Sequence, residues 1–216
     1  MPIDLREILR PEASAVITVE CQRGVIGTGG ALSALADAVR ESGIVPRAAS
    51  VLDAARGAGV PVLHGTVVRR PDGGGVTMNC RLFAATRKAG GPGLLAGSEA
   101  GRLVAEFGPA ESDYLVPRHH GVSVFHDSEM DSLLRSLGVK TVVLLGVSLN
   151  IALLGTTIEA VNRGYQVVMP HDGVTGTPAE YAKMVVEHTV RLLATVTTCA
   201  EVVAALERGR RNGEQP

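Results

Sequence analysis

The sequence predicts a doubly wound α/β protein, a three-layer α/β/α sandwich built on one mainly parallel six-stranded sheet. Three observations carry this. Six short runs rich in β-branched residues recur along the chain. Most are followed by an Ala- and Leu-rich stretch of helical length, which is the alternation expected of strand and helix layers. Several runs are continuously apolar rather than alternating, as strands covered on both faces must be.

The strand runs lie at 15–19, 60–64, 113–116, 141–145, 165–169 and 194–198. Between them, a helix is expected over 46–56, with Pro46 near its first turn and Gly57 and Gly59 at its end. A second, over 128–137, has Ser128 and Asp131 in capping-box spacing and stops at Gly138. A third, over 150–163, ends at Gly164, a residue suited to a left-handed terminator. A fourth, over 178–193, has Thr177 as its N-cap. The connection 69–97 is unusually long and carries turn signals at 71–75 and 90–93. Loops of that length in a compact domain are usually functional, and this one is expected to overhang the carboxyl ends of the strands. One domain is expected over 14–207, after an N-terminal arm at 1–13 and before a polar tail at 208–216 that should fray.

Composition narrows the function. Of 216 residues, 45% are hydrophobic and 20% charged, which excludes general disorder. Aromatics are only 3%, so Ala, Val and Leu must build the core. Lys and Arg number 21 against 22 Asp and Glu, a net charge of -1. A nucleic-acid partner needs a concentrated basic face, and an electrostatic membrane anchor needs a basic segment; neither is expected. The first 13 residues have no apolar core of a secretory signal. Cys21, Cys80 and Cys199 are far apart, which suits a reducing compartment and neither a disulfide framework nor a zinc site. A cytoplasmic protein is expected.

Cofactor motifs fail on inspection. Gly27, Gly29 and Gly30 follow the first strand, but the third glycine of a dinucleotide fingerprint would fall on Leu32. The second strand has no closing acid to hold a ribose, and no phosphate loop is present. His119, His120, His126 and Asp127 lack metal-ligand spacing, and Asp127 reads as helix entry. No cofactor is expected.

Three segments stand out at strand ends: 18–24 (Thr-Val-Glu-Cys-Gln-Arg-Gly), 116–125 (Val-Pro-Arg-His-His-Gly-Val-Ser-Val-Phe) and 145–152 (Leu-Gly-Val-Ser-Leu-Asn-Ile-Ala), the last running into Thr156, Thr157, Ala160, Arg163 and Gly164. With 168–174, they resemble the isochorismatase-like (cysteine hydrolase) family over about 14–206. The resemblance implies a Rossmann-like α/β fold, a homodimer or higher homo-oligomer, a small-molecule substrate and a site built from an Asp, a Lys and a Cys. Here the Asp position holds Glu20, the Lys position falls on Arg118 or His119, and the Cys position holds Ala152. A cis peptide is implied at Val147–Ser148, with backbone oxyanion donors around Ser148, Leu149 and Ala152. Gln22, His64, Phe125 and Asn150 are candidates to touch substrate.

Alanine cannot replace a thiolate, so thioester chemistry is not expected. Isochorismatases proper, which also lack the thiol, cleave a vinyl ether; that reaction needs a carboxylic acid and water. Two readings follow: a hydrolase using Glu20 as acid/base, or an inactive homologue that binds or scaffolds. Bland roles stand beside them. Glu20 and Arg118 can form a structural ion pair, Cys21 can be a packed core thiol, and Asp172 can tie its own turn. Cys80 in the long loop is the one thiol that could swing toward the site.

Overall fold

The computed structural model describes residues 4–27, 32–88 and 93–213. Six strands form one sheet: β1 (Ser14–Val19), β2 (Val62–Val67), β3 (Tyr114–Arg118), β4 (Thr141–Gly146), β5 (Gln166–Pro170) and β6 (Thr195–Thr197). Their order is β3-β2-β1-β4-β5-β6 and every pairing is parallel. The strand order reverses between β1 and β4, where open α/β sheets leave a crevice outside the carboxyl ends.

Successive side chains alternate across the sheet. Val16, Val62, Val143 and Val168 pack into one core with the helices Ile44–Gly57 and Cys199–Gly213. Ile17, Leu63, Leu144 and Met169 face the other, beneath the helices Met130–Ser136 and Leu154–Asn162. Continuous apolar runs are therefore buried on both sides.

Several boundaries differ from the sequence reading. β2 lies further along than 60–64, so His64 sits mid-strand, in register with Thr18. β3 extends to Arg118 and includes Pro117, which an edge strand tolerates. The helices Ser33–Ser42, Arg81–Lys88 and Cys199–Gly213 were not anticipated. The last continues past 208, so no structural break falls there; residues 1–3 and 214–216 lie outside the described residues, as do Gly29, Gly30 and 90–92.

Helix entries also differ. Glu129 is the N-cap of Met130–Ser136, not Ser128, and Asp131 instead accepts the Tyr165 hydroxyl at 2.8 Å and pairs with Arg135. Asp127 adopts φ 50, a left-handed turn before the helix rather than its entry. Pro178 rather than Thr177 precedes the helix Ala179–Val185, and the bond between them is cis. Asp172 accepts the Cys199 amide at 2.8 Å, holding the start of the last helix instead of its own turn. Gly164, with φ 86, does close its helix in the left-handed region.

Gly146 ends β4 with φ 107, and a β-carbon there would lie 2.6 Å from Cys21 Sγ. Only glycine lets the chain pass so close to β1 before it turns into the segment carrying Ser148 and Ala152.

Candidate active site

β1 ends at Val19 and the chain turns sharply at Glu20. Its φ of 56 is left-handed, a conformation that among the described non-glycine residues only Asp127 shares. An L residue held there costs on the order of 1–3 kcal/mol. The Glu20 amide donates to the Gly65 carbonyl at 2.9 Å, which helps hold the turn. The turn takes Glu20 out of the strand's in–out alternation, and its carboxylate borders a cavity of about 500 Å³.

The last residue of β3 supplies the counter-charge. Arg118 is 2% exposed, and its Nη2 donates to Glu20 Oε1. The same guanidinium reaches the Gly121 and Val122 carbonyls at 3.4 and 3.3 Å, while its Nη1 is buried without a partner. His119 points elsewhere: its exposed ring meets the Val68 carbonyl at 2.9 Å. Of the two candidates beside Glu20, the one in contact is Arg118.

The third wall follows β4. The Val147–Ser148 peptide is cis, and residues Leu149–Leu153 form a π-helical turn. Ser148, Ile151 and Ala152 line the cavity. Ala152 therefore offers the cavity only a methyl group. The Leu149 amide is not a free oxyanion donor as expected, because it donates to the Thr175 carbonyl at 2.8 Å.

The remaining wall comes from the long loop and from the chain after Glu20. Arg69, Asp72, Val76, Met78 and Leu94 border the cavity, together with Leu82, Phe83, Thr86 and Arg87 on the helix Arg81–Lys88. The expectation that 69–97 overhangs the site holds for its described residues. Arg69 was not foreseen. It is half-buried, and its Nη1 donates to the His119 carbonyl at 2.7 Å.

Four residues expected to touch substrate lie outside the lining of this cavity. Gln22 is fully buried and clamps β2 to the loop: its Nε2 donates to the Val67 and Gly101 carbonyls, and its Oε1 accepts the Val67 amide at 2.8 Å. His64 is also fully buried, between Thr18 Oγ1 at 2.7 Å and Asp113 Oδ2 at 3.2 Å. Phe125 stacks on Tyr165 beneath the Arg163 guanidinium, with ring centroids 6.0 Å apart. Asn150 donates to the Thr177 carbonyl at 3.3 Å. None of the four borders the cavity, and Asn150 Oδ1 is buried without a partner.

The thiols are equally removed. Cys21 is buried with its Sγ donating to the Val19 carbonyl; burial, then the Glu20 charge, pushes its pKa up. Burial followed by Asp172 pushes Cys199 up to about 12. Cys80 is exposed and does not border the cavity. Among the described residues no group of three or more His, Cys, Asp or Glu side chains could hold a metal ion, and no helix is long and apolar enough to cross a membrane.

An acid after the first strand, backed by the cation that closes the third, shares one cavity with a tight turn after the fourth, at the switch point where open parallel sheets place ligands. The chain belongs to the isochorismatase family of hydrolases: the isochorismatase domain matches residues 14–201. It is 29% identical to a ureidoacrylate amidohydrolase of Rhizobium rhizogenes (strain K84) over 175 residues, 76% of this chain and 71% of that one. It is 26% identical to a probable isochorismatase of Pseudomonas chlororaphis over 204 residues, covering 94% and 91%. Among solved structures, a cysteine hydrolase from Pseudomonas syringae pv. phaseolicola superposes with a TM-score of 0.81 at 25% identity, covering 94% of this chain and 96% of that one.

Proposed function

We propose that this protein hydrolyses a small molecule without a covalent thioester, with Glu20 as the general acid/base and Arg118 as its cationic partner. The observation that supports this reading best is that Glu20 does two things at once: it borders an open cavity and it touches a buried guanidinium. A purely structural carboxylate has no need of the cavity. In its protonated form Glu20 delivers a proton to the enol-ether carbon; water adds to the resulting oxocarbenium ion, the carboxylate takes a proton back, and the hemiketal breaks its C–O bond to release an alcohol and a carbonyl compound. Cleavage of an enol ether suits such a site, since it requires an acid and water but no enzyme nucleophile. The amide cleavage that the Rhizobium relative's name describes is not carried over, because Ala152 stands where the family resemblance puts the nucleophilic Cys.

The second reading, an inactive homologue that binds or scaffolds, draws support from that same alanine and from the Glu20–Arg118 contact. Glu20→Gln separates the two. In the enzyme, the nearly isosteric amide keeps the fold and lowers turnover of an enol-ether or ester substrate by roughly 10²-fold or more. In the binder there is no turnover to lose; under either reading stability falls by about 3–5 kcal/mol as the buried Arg118 loses its counter-ion. A variant that melts and turns over like the wild type removes both readings.

A homo-oligomer is part of the proposal. Ile158, Val161, Tyr181, Met184 and Leu192 are large apolar side chains left exposed on the successive helices that follow β4 and β5. Apolar surface concentrated in this way is typical of a subunit contact.

A further inference from the structure

The cavity is lined by two carboxylates, and each of them is already paired with an arginine outside that lining. Glu20 is matched by Arg118, and Asp72 by Arg70. Two further guanidinium groups border the same space, Arg69 and Arg87, and neither has a carboxylate partner among the described residues. They differ in setting. Arg87 is exposed at the rim, whereas Arg69 is half-buried at the root of the long loop. Burial depresses the Arg69 pKa, the neighbouring Arg118 depresses it further and Glu20 opposes both, so Arg69 lies within electrostatic reach of the pair.

A guanidinium remains charged in a protein, and taking its charge out of water is unfavourable unless an anion faces it. One Arg69 nitrogen is committed to the His119 carbonyl, which leaves the rest of the fork to grip a planar anion through paired hydrogen bonds. The other walls are apolar, with Met78, Leu82 and Phe83 prominent.

We propose that Arg69 anchors the carboxylate of a small ligand whose apolar body lies against Met78, Leu82 and Phe83. This rests on reading the cavity as the substrate site, and it adds the substrate class: a small carboxylic acid, in preference to its neutral amide or to a cation.

The test compares acids with amides of the same shape. Benzoate and cinnamate, and benzamide and cinnamamide, are titrated calorimetrically into the full-length wild type and into Arg69→Gln, Arg69→Lys and Arg87→Gln. The wild type should bind the acids about tenfold or more tightly than the amides, the scale of one charge-assisted hydrogen bond. Arg69→Gln should erase that preference, Arg69→Lys should keep part of it, and Arg87→Gln most of it. Should Arg69→Gln not fold, the loss in Arg69→Lys against retention in Arg87→Gln decides. Equal affinity for acid and amide, no binding of either, or a preference that survives at Arg69→Gln overturns the proposal. Because binding is read without turnover, the two readings fail separately. An acid preference indifferent to Arg69 in an active enzyme sinks only the anchor, and one that depends on Arg69 in a protein without turnover sinks only the hydrolase.

Discussion

Arg118 and Glu20 meet side chain to side chain although 98 positions separate them. Their strands do not touch, because β2 lies between β3 and β1. The contact reaches across β2, whose Gly65 carbonyl takes the Glu20 amide and whose Val67 is in register with Arg118, and the acid leans on a cation while it still borders the cavity.

Removing the guanidinium should therefore be felt in the fold. Arg118→Met leaves the Glu20 carboxylate largely buried and strips a donor from the Gly121 and Val122 carbonyls. We expect a loss of about 3 kcal/mol or more in urea unfolding. The Glu20→Gln, Arg118→Met double variant should recover part of it, since the two side chains couple directly. Additive losses would show that each residue acts on its own.

Acid should weaken the protein through His64. Burial holds its pKa below the ordinary 6.5, against the pull of Asp113. Burial would raise Asp113, but hydrogen bonds from Arg56, the Ala110 amide and His64 outweigh it and hold that carboxyl below 3.8. An ionised Asp113 only accepts, so Nε2 carries the ring proton and Nδ1 accepts the Thr18 hydroxyl. As pH falls through 6.5 the unfolded chain binds a proton at this histidine that the native state refuses, so stability drops. The Asp113 contribution is present above 3.8 and disappears as pH falls through its lower native value. Thermal melts from about pH 8 to pH 5 should show a steeper decline in wild type than in His64→Gln. Parallel curves would remove His64 as the cause.

Thiol reagents should leave activity intact. Iodoacetamide is expected to modify the exposed Cys80 in the native protein and to reach Cys21 and Cys199 only on unfolding. Mass spectrometry locates the label. Inactivation that tracks Cys80 labelling and is blocked by ligand would reinstate a thiol mechanism.

Light scattering should return a particle larger than the 22.4 kDa chain at micromolar concentration. Leu192 is 82% exposed, and Leu192→Glu should shift the population toward the monomer if its helix lies in the contact. A wild-type monomer contradicts the oligomer outright.

The strands were legible because buried parallel strands must be continuously apolar, and the three segments that carry Glu20, Arg118 and Ala152 were legible as strand ends. What escaped was decided by side-chain direction. Gln22 and His64 look like ligand residues from their distance to a strand end, yet both are fully buried and spend their hydrogen bonds on backbone and on Thr18 and Asp113. Arg69 carries no local signal at all; it reaches the site only because β2 is flanked by β1 and β3. The left-handed turn at Glu20 is invisible for a related reason, since glutamate is not a residue that announces positive φ.

The proline in β3 also bears on how molecules meet at high concentration. The Arg118 carbonyl accepts from the Val68 amide, so Arg118 addresses β2 and Pro117, one residue earlier, addresses solvent. The outward rim of the sheet thus lacks a donor where a stray strand would need one. At the opposite rim β6 is only three residues long. Neither margin offers a long template for uncontrolled strand addition, so the sheet is guarded against edge-to-edge aggregation at both ends.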